Sequence, residues 1–105
     1  MYLANLKTHE EKEAFLNLAF MIANADGSLD FDERVLINLF QDEMNLEPGA
    51  CSFQRQPMNQ LCQAFSDSQS RQLAFGNLMT LAYVDDYDSE GKRSLLDLIQ
   101  QELSI

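Results

Sequence analysis

An internal repeat constrains this chain more than any other feature. Sliding the sequence on itself by 59 residues aligns 8–46 with 67–105 without a gap. Apolar residues face apolar ones at Phe15 and Ala74, Leu16 and Phe75, Ala19 and Leu78, Ile22 and Leu81, Ile37 and Leu96, Phe40 and Ile99, and Met44 and Leu103. Two amphipathic helices share a period in any case, so these matches alone decide little. The identities decide more, because they include polar positions: Asp26 with Asp85, Arg34 with Arg93, Gln41 with Gln100 and Glu43 with Glu102. A chain built this way is expected to fold as two helical hairpins of one register, packed about a pseudo-two-fold axis.

Each half reads as a hairpin on its own. Thr8 followed three residues later by Glu11 is a capping box, and Phe15, Ala19 and Ile22 recur at helical spacing behind it, predicting a helix over about 9–25. Asp26, Gly27 and Ser28 break that helix. Asp30 with Glu33 then forms a second capping box ahead of Val35, Leu36, Leu39, Phe40 and Met44, predicting a helix over 31–45. The segment 45–57 holds both prolines and Gly49 and reads as a connector. Met58, Leu61, Cys62 and Phe65 follow at i, i+3, i+4 and i+7, which predicts a short helix over 57–66 with one apolar face. Helices over 68–84 and 89–103 complete the second half. No segment alternates with the period of two that a strand requires, so the expected fold is all-α: one five-helix domain over 1–105.

Length and charge narrow the function. The chain has 105 residues, 46% of them apolar, and a domain of that size buries roughly 60–70% of the surface its unfolded chain exposes. One core is expected. The apolar fraction is too high for a disordered acidic tail, and no uncharged run approaches the ~20 residues of a bilayer span. The first residues, MYLANLKTHEEKE, lack the pattern of a secretory leader, and two cysteines do not make a disulfide scaffold, so a cytoplasmic protein is expected. Seven Lys and Arg stand against 17 Asp and Glu, a net charge of -10. That balance disfavours nucleic acid and anionic lipid and leaves divalent cations and basic protein surfaces as partners.

The acidic loops carry the candidate chemistry. Asn24, Asp26, Gly27, Leu29, Asp30 and Glu33 stand at the relative spacings of positions 3, 5, 6, 8, 9 and 12 of a calcium-binding EF-hand loop. Position 1, where an aspartate is required, is Ile22 on the apolar face of the first helix, so a full EF-hand is not expected. What remains is a turn whose hard oxygens can take Ca²⁺, Mg²⁺ or Mn²⁺ when a further carboxylate or water joins them.

The strings ANADGSLDFDERVL and LAYVDDYDSEGKRSLL resemble the two hairpins of tellurite-resistance TerB-like domains. The resemblance implies an all-helical bacterial domain whose paired acidic loops form a cation site linked to stress responses. By that resemblance Asp26, Asp30 and Glu33 match the first acidic motif and Asp85 the start of the second. The second motif departs from the first: Gly27 is matched by Asp86, Asp30 by Ser89 and Glu33 by Lys92. A site built from both loops is therefore expected to be lopsided.

A purely structural reading accounts for the same residues. Asp30 and Glu33 cap a helix, Asp26 bonds turn amides and Gly27 supplies a positive φ. Lys92, among Asp85, Asp86 and Asp88, reads as one side of an exposed ion pair. His9 reads as solvated, and a lone histidine is poor evidence for zinc. Cys62 falls on an apolar face and reads as core, while Cys51 lies in the connector. The Asp-Gly-Ser order around Ser28 argues against an acyl carrier, and no phosphate loop, nucleophile elbow or histidine dyad is present. The expectation is a binding domain rather than an enzyme, with a divalent cation as first ligand. The alternative is a metal-free interaction module that docks a basic partner through its acidic loops.

Overall fold

The computed structural model describes residues 3–25, 31–47, 56–83 and 90–105. Among them the chain is all-helical, with no strand. A 3-10 turn at Leu3–Asn5 precedes α1 (His9–Ala23), α2 (Phe31–Glu43), α3 (Met58–Cys62), α4 (Ser68–Ala82) and α5 (Glu90–Leu103). The expected five helices are present. None of the described helices is long and apolar enough to cross a membrane.

The helix ends follow from local chemistry. At the start of α1 the Thr8 hydroxyl accepts from the Glu11 amide at 3.1 Å, and the Glu11 carboxylate accepts from the Thr8 amide at 3.3 Å, so the capping box read from the sequence is formed. The corresponding residue of the second half, Asp67, caps α4 by accepting from the Ser70 amide at 2.7 Å. Both α2 and α5 finish on a residue of positive φ, Asn45 at 56° and Ser104 at 59°. The next amides fold back on the helix: Leu46 donates to the Gln41 carbonyl at 2.9 Å and Ile105 to the Gln100 carbonyl at 3.3 Å. Asn45 and Ser104 themselves donate to Asp42 and Gln101, which makes each end a Schellman motif.

Those stops shorten the expected helices. The left-handed turn at Asn45 ends α2 at Glu43 rather than at 45. In α1 the Asn24 side-chain amide donates to the Phe20 carbonyl at 2.8 Å, and the helix ends at Ala23 rather than 25. The short helix expected over 57–66 is regular only through Cys62. Beyond it, Ala64 and Phe65 bond back three residues to Leu61 and Cys62, tightening the chain out of α geometry. The 3-10 turn is an addition, since three residues are too few to show a period.

One core cluster draws on every element. Phe15 of α1 and Phe40 of α2 meet edge to face with ring centroids 5.1 Å apart. Helices α1 and α4 pack together, and each also touches both α2 and α5. The two short elements lie on opposite partners: α3 packs on α1 and α5, the 3-10 turn on α4 and α2. Leu3 and Leu6 are buried, and the Leu3 amide donates to the Glu43 carboxylate, which ties the amino-terminal segment to the end of α2. Cys62 is in the core as expected.

Candidate functional site

Helix α2 buries Glu33, Ile37, Phe40 and, just past its end, Met44; α5 buries Lys92, Leu96, Ile99 and Leu103. The two sets share one spacing, 4, 3 and 4 residues, and stand 59 residues apart throughout. Each inward stripe therefore begins with a charged side chain in the first turn of its helix. The two charges meet: Lys92 Nζ lies 3.1 Å from Glu33 Oε2, and both side chains are 1% exposed.

This corrects the reading of Lys92 as an exposed partner of its own loop. The segment before it is acidic, but its place on the helix sets its environment, one turn ahead of Leu96 on the core-facing side. The signal was available, because Lys92 begins the same apolar register that Glu33 begins. Local charge counting concealed it.

The electrostatics of the pair are unequal. The amino end of a helix carries partial positive charge, which favours Glu33 in the first turn of α2 and opposes Lys92 in the first turn of α5. Removing each ion from water costs several kcal/mol, and their attraction repays that only while both are present. A buried ammonium at a helix amino end needs anionic company, and Glu33 supplies it. The pair also fixes geometry, since it ties together the first turns of the two helices that follow the acidic segments.

Of the four residues expected to hold a cation, Glu33 is the one whose position is described; Asp26, Asp30 and Asp85 lie outside the described residues, as do Gly27, Ser28 and Cys51. The expected approach of Asp26 to Asp85 falls outside them as well. Among the described residues no group of three or more His, Cys, Asp or Glu side chains is gathered as a metal site would require.

The remaining candidates are plain in their roles. His9 is exposed, with Nε2 3.2 Å from the Glu13 carboxylate one turn on. Burial, and secondarily the charge of Glu102, pushes the Cys62 thiol up to about 11, which keeps it protonated and a poor nucleophile. The Asp67 carboxyl is held below its usual range, first by the Ser70 amide and then by the Ser70 side chain. A cleft of about 490 Å³ lies against that cap, between Lys7, Glu11, Asp67 and Ser70, where the two capped helix starts come near each other. Glu11 and Ser70 are both committed to their own helix ends.

No family model matches the chain, and neither a curated protein nor a solved structure does.

Proposed function

We propose that the chain is a TerB-like binding domain of the bacterial cytoplasm, linked to tellurite or stress resistance, in which two hairpins, 8–46 and 67–105, pack about a pseudo-two-fold axis and present their acidic loops at one end. The paired caps at Thr8 and Asp67, the paired Schellman ends at Asn45 and Ser104, and the reciprocal packing of α1 and α4 on α2 and α5 support the two-fold relation. So does the Glu33–Lys92 contact, because a residue beside a two-fold axis faces its own counterpart. The domain acts through binding and performs no catalysis.

The ligand of this reading is a divalent cation held by Asp26, Asp30 and Asp85, with Glu33 as the inner carboxylate. The observation that carries it is the Glu33–Lys92 pair, which joins the two helix starts that follow the acidic segments. Eight of the 17 acidic residues fall within 26–33 and 85–90, so joining these starts gathers like charge, and a cation relieves the repulsion. Every candidate ligand is an oxygen, which selects Ca²⁺, Mg²⁺ or Mn²⁺. Lys92 already engages Glu33, and a competing ammonium makes the binding weak and reversible. Mn²⁺ added to labelled protein tests the location: the reading expects paramagnetic broadening first in the opening turns of α2 and α5. Broadening centred on the caps of α1 and α4 would place the ion elsewhere.

The same contact favours a second reading. Lys92 neutralises Glu33 without any metal, and the other carboxylates are then free to dock a basic protein partner. An acidic domain that shows no site-specific Mn²⁺ broadening but retains a basic partner would follow this reading.

A further inference from the structure

Helix α2 exposes an apolar stripe on its outer face. Phe31 is 77% exposed, Val35 41% and Leu39 45%, at i, i+4 and i+8, on the side of the helix away from Glu33, Ile37 and Phe40. The repeat supplies an internal control. The corresponding positions of α5 are Glu90, Ser94 and Leu98, all exposed, so the second half of the chain fills two of the three with the polar residues expected of a solvated helix face. The fold does not require Phe31 and Val35 to be apolar. Their cost in solubility is borne by one half alone, which points to contact with another molecule.

The surroundings select the occupant. Asp32 and Asp42, both exposed, border the stripe, and Arg34, also exposed, flanks it on the other side beside Phe31. A second copy of this chain brings its own charge of -10 and the same acidic border, and is repelled. The stripe runs over nine residues, about 12 Å of a helix about 10 Å wide, a face of roughly 120 Å², far less than the ~1,000 Å² interface a stable dimer needs. Two turns of helix with an apolar ridge and flanking carboxylates fit the ridge of one amphipathic helix that carries Lys or Arg beside its apolar residues.

We propose that the outer face of α2, through Phe31, Val35 and Leu39, docks a basic amphipathic helix of a partner protein. The proposal is independent of the cation reading, and its test is run with a chelator present so that the two fail separately. Full-length labelled protein is titrated with an 18-residue helical peptide of Leu and Lys in amphipathic order. Parallel titrations use the same residues in non-amphipathic order and an amphipathic Leu and Glu peptide. The expected result is amide shifts concentrated over 31–42 for the first peptide alone. Val35→Ser with Leu39→Ser, which copies the polar pattern of α5 at one position, is expected to weaken that binding about tenfold or more. Leu98→Ser is expected to leave it unchanged. All three positions are exposed, and unchanged circular dichroism melts verify folding. Equal binding of the non-amphipathic peptide would mean charge alone, equal binding of the acidic peptide apolar contact alone, and shifts centred outside α2 another surface; each overturns the proposal. No binding by any peptide, or a dimer in sedimentation that Val35→Ser with Leu39→Ser dissolves, overturns it too.

Discussion

Glu33 and Lys92, which occupy the same place in the two halves of the chain, form a buried ion pair with 3.1 Å between carboxylate oxygen and ammonium nitrogen. Removing one partner deprives the other of this contact. Lys92→Met and Glu33→Gln are each expected to destabilise the protein, by up to ~3–5 kcal/mol, because the remaining ion keeps its desolvation cost and loses this counter-charge. Replacing both, as Glu33→Met with Lys92→Met, is expected to return most of that loss. Urea unfolding of the four proteins measures the coupling. Additive losses would show that the two side chains act independently.

The ends of α2 and α5 use one motif with different residues. Ser104 holds φ 59° and Asn45 holds φ 56°, and asparagine tolerates the left-handed region better than serine does. Ser104→Gly is therefore expected to stabilise by up to about 1 kcal/mol and Asn45→Gly by less. Thermal melts of the two variants check the order.

Asp67 gives the domain an acid-sensitive cap. Hydrogen bonds from the Ser70 amide and then its side chain hold its carboxyl below the usual value of 3.8. A folded pKa below the unfolded one contributes stability that is fully present above the unfolded value and is lost as the pH falls through the folded one. Asp67→Asn keeps an acceptor for the Ser70 amide but does not titrate, so its melting temperature is expected to fall less steeply below about pH 4 than that of the unmodified protein. Parallel curves would remove Asp67 from the acid response.

Much of this fold is legible in the sequence because its signals are local. Thr8 and Glu11 announce the start of α1, the 3 and 4 spacing from Ile37 and Leu96 marks the inward faces, and Cys62 falls on the apolar side of a short helix. The 3-10 turn was hidden because Leu3 and Leu6 are buried by tertiary contact and not by periodicity. The weak amphipathicity of α4 has a similar cause: Asn77 is buried yet satisfied locally, donating to the Leu73 carbonyl at 2.9 Å. Of the candidate site, Glu33 was visible as a capping residue and Lys92 as a loop cation, but their meeting was not. The repeat offset paired them in alignment; only the packing of α2 and α5 on the shared pair α1 and α4 lets these two long side chains reach each other.

The central claim is that the acidic loops bind a divalent cation, and melting temperature tests it most directly. A cation that binds only the folded chain stabilises it by mass action, whereas monovalent salt merely screens the net charge. Millimolar Ca²⁺, Mg²⁺ or Mn²⁺ is expected to raise the melting temperature above that in sodium chloride of equal ionic strength, and Asp26→Asn is expected to remove most of the rise. Equal melting temperatures in the two salts, or a rise that survives Asp26→Asn undiminished, would contradict the account and leave Glu33 as the partner of Lys92, with Asp26 and Asp30 returned to turn and cap roles.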